Sequence, residues 1–79
     1  MSLAITHVKP TDDYKILVRF RKYGAKLFDV RPYLNRGIFK ELRNLRYFKK
    51  VRVVRGGIEW PHEQDLIAET LYHRGVPAK

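Results

Sequence analysis

Cysteine is absent from the chain, which excludes disulfide staples and thiolate metal ligands. A small secreted domain ordinarily needs such staples, so a reducing, cytoplasmic setting is expected. Long apolar stretches are missing too. The longest runs, such as Ile16-Leu17-Val18, are three residues, so neither a membrane span nor the apolar core of a signal peptide is expected. Serine occurs only at Ser2, and Thr6, Thr11 and Thr70 have no flanking nucleophile motif. Nucleophilic catalysis therefore has no candidate, and no enzyme activity is expected. Negative charge is scarce where it would matter most. Between Lys15 and Arg55 only Asp29 and Glu41 oppose fourteen of the seventeen lysines and arginines.

That central stretch carries a formal +12 and the flanks together −3, for a net charge of +9. Such a field favours an anionic partner, because oriented positive charge raises encounter rates and non-specific affinity. At 79 residues the chain has room for one domain, spanning 1–79. A chain of this size buries only about 60–65% of its unfolded surface, so its stability is expected to be small. Its composition, 44% hydrophobic and 13% aromatic, nevertheless supports a packed core rather than a disordered basic tail.

The clearest element is a strand over Tyr14 to Arg21. Tyr14, Ile16, Val18 and Phe20 share one face, and Lys15, Leu17, Arg19 and Arg21 the other. Leu3 to Lys9 is a weaker strand, closed by the turn residues Pro10-Thr11-Asp12-Asp13. Gly24 marks a hairpin into a third strand, Ala25 to Val30, whose phase conflicts: placing Phe28 and Val30 inward also places Lys26 inward and Leu27 outward. From Gly37 the period becomes helical, with Ile38, Phe39, Leu42 and Leu45 as the inner stripe and Arg36, Lys40 and Arg43 outside. Phe48 to Val54 alternates again, and Gly56-Gly57 reads as a two-residue hairpin with positive φ at both centres. Ile58 and Trp60 then point inward and Pro61 stops the strand. Leu66 to His73 is expected as a last helix, capped by Asp65 and stopped by Gly75 and Pro77. The expected class is α+β: a small, mainly antiparallel sheet of about five strands with two hairpins and two short helices, in the order βββαββα.

In sequence, Tyr14 to Phe20, Phe28-Asp29-Val30, Gly37-Ile38-Phe39-x-x-Leu42, Phe48-x-x-Val51-x-Val53, Ile58-Glu59-Trp60-Pro61, Asp65-Leu66 and Leu71-Tyr72 form an ordered set. Over residues 3–73 this set resembles the bacterial family named domain of unknown function 2442. The resemblance implies a compact α+β module with no assigned activity, catalytic residue or cofactor. It also implies a two-gene arrangement with another small protein, of a toxin–antitoxin-like kind. Some members carry an added helix-turn-helix domain, which is not found here. The family usually has proline at the start of its last helix, where this chain has Ala68.

The remaining chemical candidates have plainer readings. His62-Glu63-x-Asp65 matches no metal-ligand spacing, even with His7 or His73, and reads as a solvated turn. Gly56-Gly57 lacks the lysine and following helix of a phosphate loop. No cofactor and no metal are expected. The basic surface stands above its plain reading of solubility, because Lys15, Arg19, Arg21, Lys50 and Arg52 share outward strand phases without a carboxylate among them. The expected partner-binding residues are Lys15, Leu17, Arg19, Arg21, Arg36, Lys40, Arg43, Lys50, Arg52 and Val54. The aromatics take core phases, which argues against stacking single-stranded RNA bases. Leu17 and Val54, ringed by cations, fit an interface with an apolar centre and polar rim. The expected function is thus a non-enzymatic protein-interaction module with an acidic protein partner. Weak, largely non-specific nucleic-acid binding is the alternative, and a second copy of the chain is a further candidate partner.

Overall fold

The computed structural model describes residues 3–78, and among them seven strands form two antiparallel sheets. The first is a meander of β1 (Ile5–Pro10), β2 (Lys15–Phe20) and β3 (Gly24–Asp29), with β7 (Val76–Ala78) added beside β3. The second contains β4 (Arg52–Val54), β5 (Gly57–Glu59) and β6 (Asp65–Ile67). Two 3-10 segments, Arg31–Tyr33 and Gly37–Arg43, lead into the single turn α1 (Leu45–Phe48), and α2 (Ala68–Arg74) joins β6 to β7. The α+β class matches the expectation from sequence; the expected single sheet of about five strands is two sheets.

Alternation decides β2. Ile16, Val18 and Phe20 are buried while Leu17 is half-buried and Arg19 exposed. The turn before it is built as its residues suggest: Thr11 N donates to Lys15 O at 2.8 Å, and Lys15 N donates back to Thr11 Oγ1 at 3.0 Å. Tyr14 is not in the strand. It adopts φ 65°, a left-handed conformation that ends the turn, and packs its ring 5.2 Å from that of Phe48. In β3 the conflict of phase is real. Lys26 does lie on the core side, opposite Val18, and Leu27 lies outside, opposite Leu17.

The middle segment departs from the expected α-helix for a geometric reason. Gly37–Arg43 is a 3-10 helix, which has three residues per turn. Positions three apart therefore share a face, so Phe39, Leu42 and Leu45 pack on the core while Ile38 is 60% exposed. Asn44 then caps α1, its side chain accepting from Arg46 N and Tyr47 N. Phe48 belongs to α1, fully buried, and not to the following strand. In the β4–β5 hairpin the loop residues are Arg55 and Gly56, and Gly56 alone has positive φ (85°). Gly57 is needed for another reason: a Cβ there would lie 2.2 Å from Leu66 O on β6.

Two further expectations fail at the C-terminal end. Asp65-Leu66-Ile67 forms β6 against β5, so Asp65 does not cap the helix, and α2 starts at Ala68 without a side-chain cap. Ala68 is thus at the first helical position, where proline is favoured, and here its N–H donates to Gly56 O at 2.9 Å. Pro77 does not end the structure but sits within β7, an edge strand that tolerates the missing donor.

One buried cluster lies between the sheets and helices, built from Ile16, Val18, Phe28, Phe48, Ile58 and Trp60 among others. Trp60 has no exposed surface, and its indole Nε1–H donates to Phe48 O at 2.8 Å.

Candidate partner-binding face on the four-stranded sheet

The meander sheet buries one face in that cluster and turns the other outward. On the outward face the strand registers align Lys9, Leu17, Leu27 and Val76 in one row across all four strands. Leu17 and Leu27 are directly opposite and half-buried, and Val76 is 58% exposed. On one side of this aliphatic seam stands the pair Lys15–Asp29; on the other stand His7, Arg19, Ala25 and Ala78. Lysines and an arginine thus frame a short hydrocarbon strip. Where the seam meets β7, Lys15, Leu27, Asp29, Arg74 and Val76 line an open hollow of about 190 Å³.

Charge on this face is less one-sided than the sequence phases imply. Asp29 is held by Arg31 through Nε at 2.9 Å and Nη2 at 2.7 Å, and also accepts from Arg31 N at 3.0 Å. The Arg31 side chain, with its backbone N–H, keeps the Asp29 carboxyl below its ordinary range. Lys15 Nζ lies 3.6 Å from Asp13 Oδ2, an exposed pair that contributes little to stability.

The ten residues expected at the interface divide among three places. Lys15, Leu17 and Arg19 share the outward face just described. Arg21 is exposed in the turn after β2. Arg36, Lys40 and Arg43 are exposed along the 3-10 segment, with Arg36 5.5 Å from the Tyr33 ring centre. Arg43 is committed, its Nε donating to Leu34 O at 2.9 Å and its guanidinium also to Asn35 Oδ1. Lys50 precedes β4, and Arg52 and Val54 belong to the second sheet, in rows with Glu59 and Asp65 and with Gly57 and Ile67. Arg52 Nη2 pairs with Glu59 Oε2 at 2.9 Å. The expectation that Lys15, Arg19, Lys50 and Arg52 project from one sheet is therefore corrected: the break between the two sheets separates them, and a carboxylate does stand among their strand rows. Leu27, Val76 and Arg74 were not foreseen as site residues.

A second polar cluster forms around the Trp60-Pro61-His62 turn, which is not merely solvated. Gln64 is 1% exposed. Its Nε2 donates to Ile38 O at 2.8 Å and to Glu41 Oε1 at 3.1 Å, while its Oε1 accepts from Tyr47 Oη at 2.6 Å. His62 Nδ1 lies 2.6 Å from Glu41 Oε2, and His62 N donates to Tyr47 Oη at 2.8 Å. Gln64 first, then His62, holds the Glu41 carboxyl below its ordinary range. Each polar atom has a role in joining the 3-10 segment to the turn, so the cluster reads as structural. Among the described residues no three His, Cys, Asp or Glu side chains converge on a metal position. No helix among them is long and apolar enough to cross a membrane.

Two short antiparallel sheets on a shared core, with one sheet face left open and fringed by cations, define a small α+β module. The chain belongs to the family described as protein of unknown function (DUF2442), whose model matches residues 5–77. No curated protein and no solved structure matches it.

Proposed function

We propose that this protein is a non-enzymatic, cytoplasmic interaction module that binds an acidic protein across the outward face of the four-stranded sheet. The observation that carries the reading is the Leu17–Leu27–Val76 seam in register between Lys15 and Arg19, with Lys9 at its end. An apolar centre inside a charged rim is the usual anatomy of a protein interface. Carboxylates on the partner would meet the rim and speed the encounter, while aliphatic side chains would fill the strip. The face offers no tyrosine, phenylalanine or tryptophan on which bases could stack, which favours protein over single-stranded nucleic acid. A partner encoded beside it, in the manner of a bacterial toxin–antitoxin-like gene pair, is the arrangement that suits this reading.

The test is recovery of partners from the native host with tagged wild-type protein, with and without nuclease and at low and high salt. A stoichiometric acidic protein that survives nuclease and is lost with Leu17→Asp supports the proposal. Recovery that depends on intact nucleic acid, and that tolerates Leu17→Asp, would replace it with backbone-phosphate binding.

A further inference from the structure

Beyond the seam, around the end of β3, Phe28, Asp29, Pro32, Tyr33, Arg36 and Arg74 line a second open hollow of about 210 Å³. Asp29 and Arg74 belong to both hollows, so the two are adjacent and share a wall. Tyr33 is the floor. Its ring faces Arg36, whose guanidinium carbon is 5.5 Å from the ring centre, and its hydroxyl is 3.5 Å from Arg74 Nη1. Among the described residues neither arginine is in an ion pair with a carboxylate, whereas Arg31, Arg52, Lys15 and Lys49 are. Two guanidinium groups outside any ion pair, one over the Tyr33 ring and the other at its hydroxyl, present N–H donors to whatever enters.

From this arrangement we infer that Tyr33, Arg36 and Arg74 form a receptor for one carboxylate side chain of the partner, set next to an aliphatic residue that occupies the Leu27–Val76 hollow. Planar guanidinium forks match the geometry of a carboxylate and bind it through charge-assisted hydrogen bonds. Asp29 in the shared wall is itself satisfied by Arg31, so it does not compete for Arg36 or Arg74. In an extended peptide, side chains two positions apart point the same way at roughly 7 Å spacing, which suits neighbouring hollows with a common wall. The recognised element is an extended segment of the type aliphatic-x-Glu or aliphatic-x-Asp.

This inference rests on the protein-partner reading, but its test needs no partner. The probe is the blocked tripeptide acetyl-Leu-Ala-Glu-amide, titrated into isotope-labelled full-length protein and followed by NMR. Saturable shifts are expected at the amides of Asp29, Tyr33 and Arg36 and at the Arg74 side-chain N–H. The matched Gln peptide should bind about tenfold more weakly, as should the Glu peptide to Arg36→Gln or Arg74→Gln. Equal binding of the Glu and Gln peptides, or unsaturable shifts scattered over Lys22, Lys40 and Arg55, would each overturn the assignment. The two proposals fail separately: a protein partner that Arg36→Gln and Arg74→Gln both retain would remove this receptor alone, whereas recovery that depends on nucleic acid would remove the protein-partner reading and leave the tripeptide result standing.

Discussion

Lys26 places its ammonium 4.5 Å from the centre of the Tyr72 ring, on the side of the meander that faces the core. A lysine is tolerated there because its stem packs along apolar surface while the charge meets the face of an aromatic ring on α2. Replacing Lys26 with methionine keeps most of the stem and loses the cation. A loss of about 0.5–1 kcal/mol in chemical denaturation is expected, and Lys26→Ala should lose more. A Met variant as stable as wild type would show that the ammonium contributes nothing there.

Gln64 ties Tyr47, Ile38 and Glu41 together from a site that is 1% exposed. Gln64→Leu leaves the Tyr47 hydroxyl and the Ile38 carbonyl without that partner. The expected cost is about 2–4 kcal/mol, read from the urea midpoint, since orphaned polar groups carry the full desolvation penalty. Trp60→Ala should cost about 3–5 kcal/mol through the cavity it leaves. Either variant denaturing like wild type would contradict the packing described for that residue.

The Glu41 carboxyl titrates below its ordinary value of 4.5, so folding favours its charged form. The stabilisation this supplies is complete above the unfolded value and is lost as the pH falls through the folded one. Denaturation midpoints of wild type and Glu41→Gln should therefore differ at neutral pH and converge in acid below 4.5. A gap that stays constant into acid would assign the difference to packing rather than to charge.

Arg19→Glu reverses a charge beside the aliphatic seam, whereas Arg52→Glu reverses one on the other sheet. The first should weaken partner binding and flatten its salt dependence, and the second should leave binding near wild type. Leu17→Asp should cost at least about 2 kcal/mol of binding if the seam is the interface centre. Arg19→Glu, as a surface change, should alter stability by no more than about 0.5 kcal/mol, so folding and binding effects separate. Equal effects of Arg19→Glu and Arg52→Glu would point to overall charge rather than to this face.

Gly57→Ala should loosen β5 from β6, because the added carbon would meet Leu66 O at 2.2 Å. A destabilisation of about 1–3 kcal/mol is expected in thermal or chemical melts. At Gly56 the obstacle is different: φ is 85° and an added Cβ would meet nothing within 4 Å, so alanine there should cost about 1 kcal/mol of backbone strain alone.

The residues that revealed themselves in the sequence are those whose neighbours in the chain decide their fate. Ile16, Val18 and Phe20 alternate strictly with Leu17 and Arg19, so both the strand and the outward position of Leu17 could be read directly. Trp60, in phase with Ile58 before Pro61, was legible as core in the same way. Other features depend on distant partners. Asp65-Leu66-Ile67 resembles the start of a helix until β5 supplies its hydrogen bonds. Val76-Pro77-Ala78 resembles a stop until β3 offers it an edge. Ile38 falls on the inner stripe at a period of 3.6 but turns outward where the chain takes three residues per turn. The seam was half-visible for the same reason: Leu17 announces itself, but Leu27 follows only once Lys26 is accepted inward, and Val76 only once β7 exists. Arg74, at the end of a helix, carried no signal beyond its charge.

The pairing of β7 with β3 has a kinetic consequence. β1, β2 and β3 join neighbours a few residues apart, so their hairpins close cheaply, whereas Leu27 must find Val76 across most of the chain. That strand is three residues long and an edge, the kind of element that opens first in hydrogen exchange. The Leu27–Val76 hollow is therefore expected to assemble after the β1–β3 meander and to open before it, with amide exchange faster in β7 than in β2. A partner that grips it would select chains whose folding is finished, and by holding β7 in place would slow the opening of the whole meander.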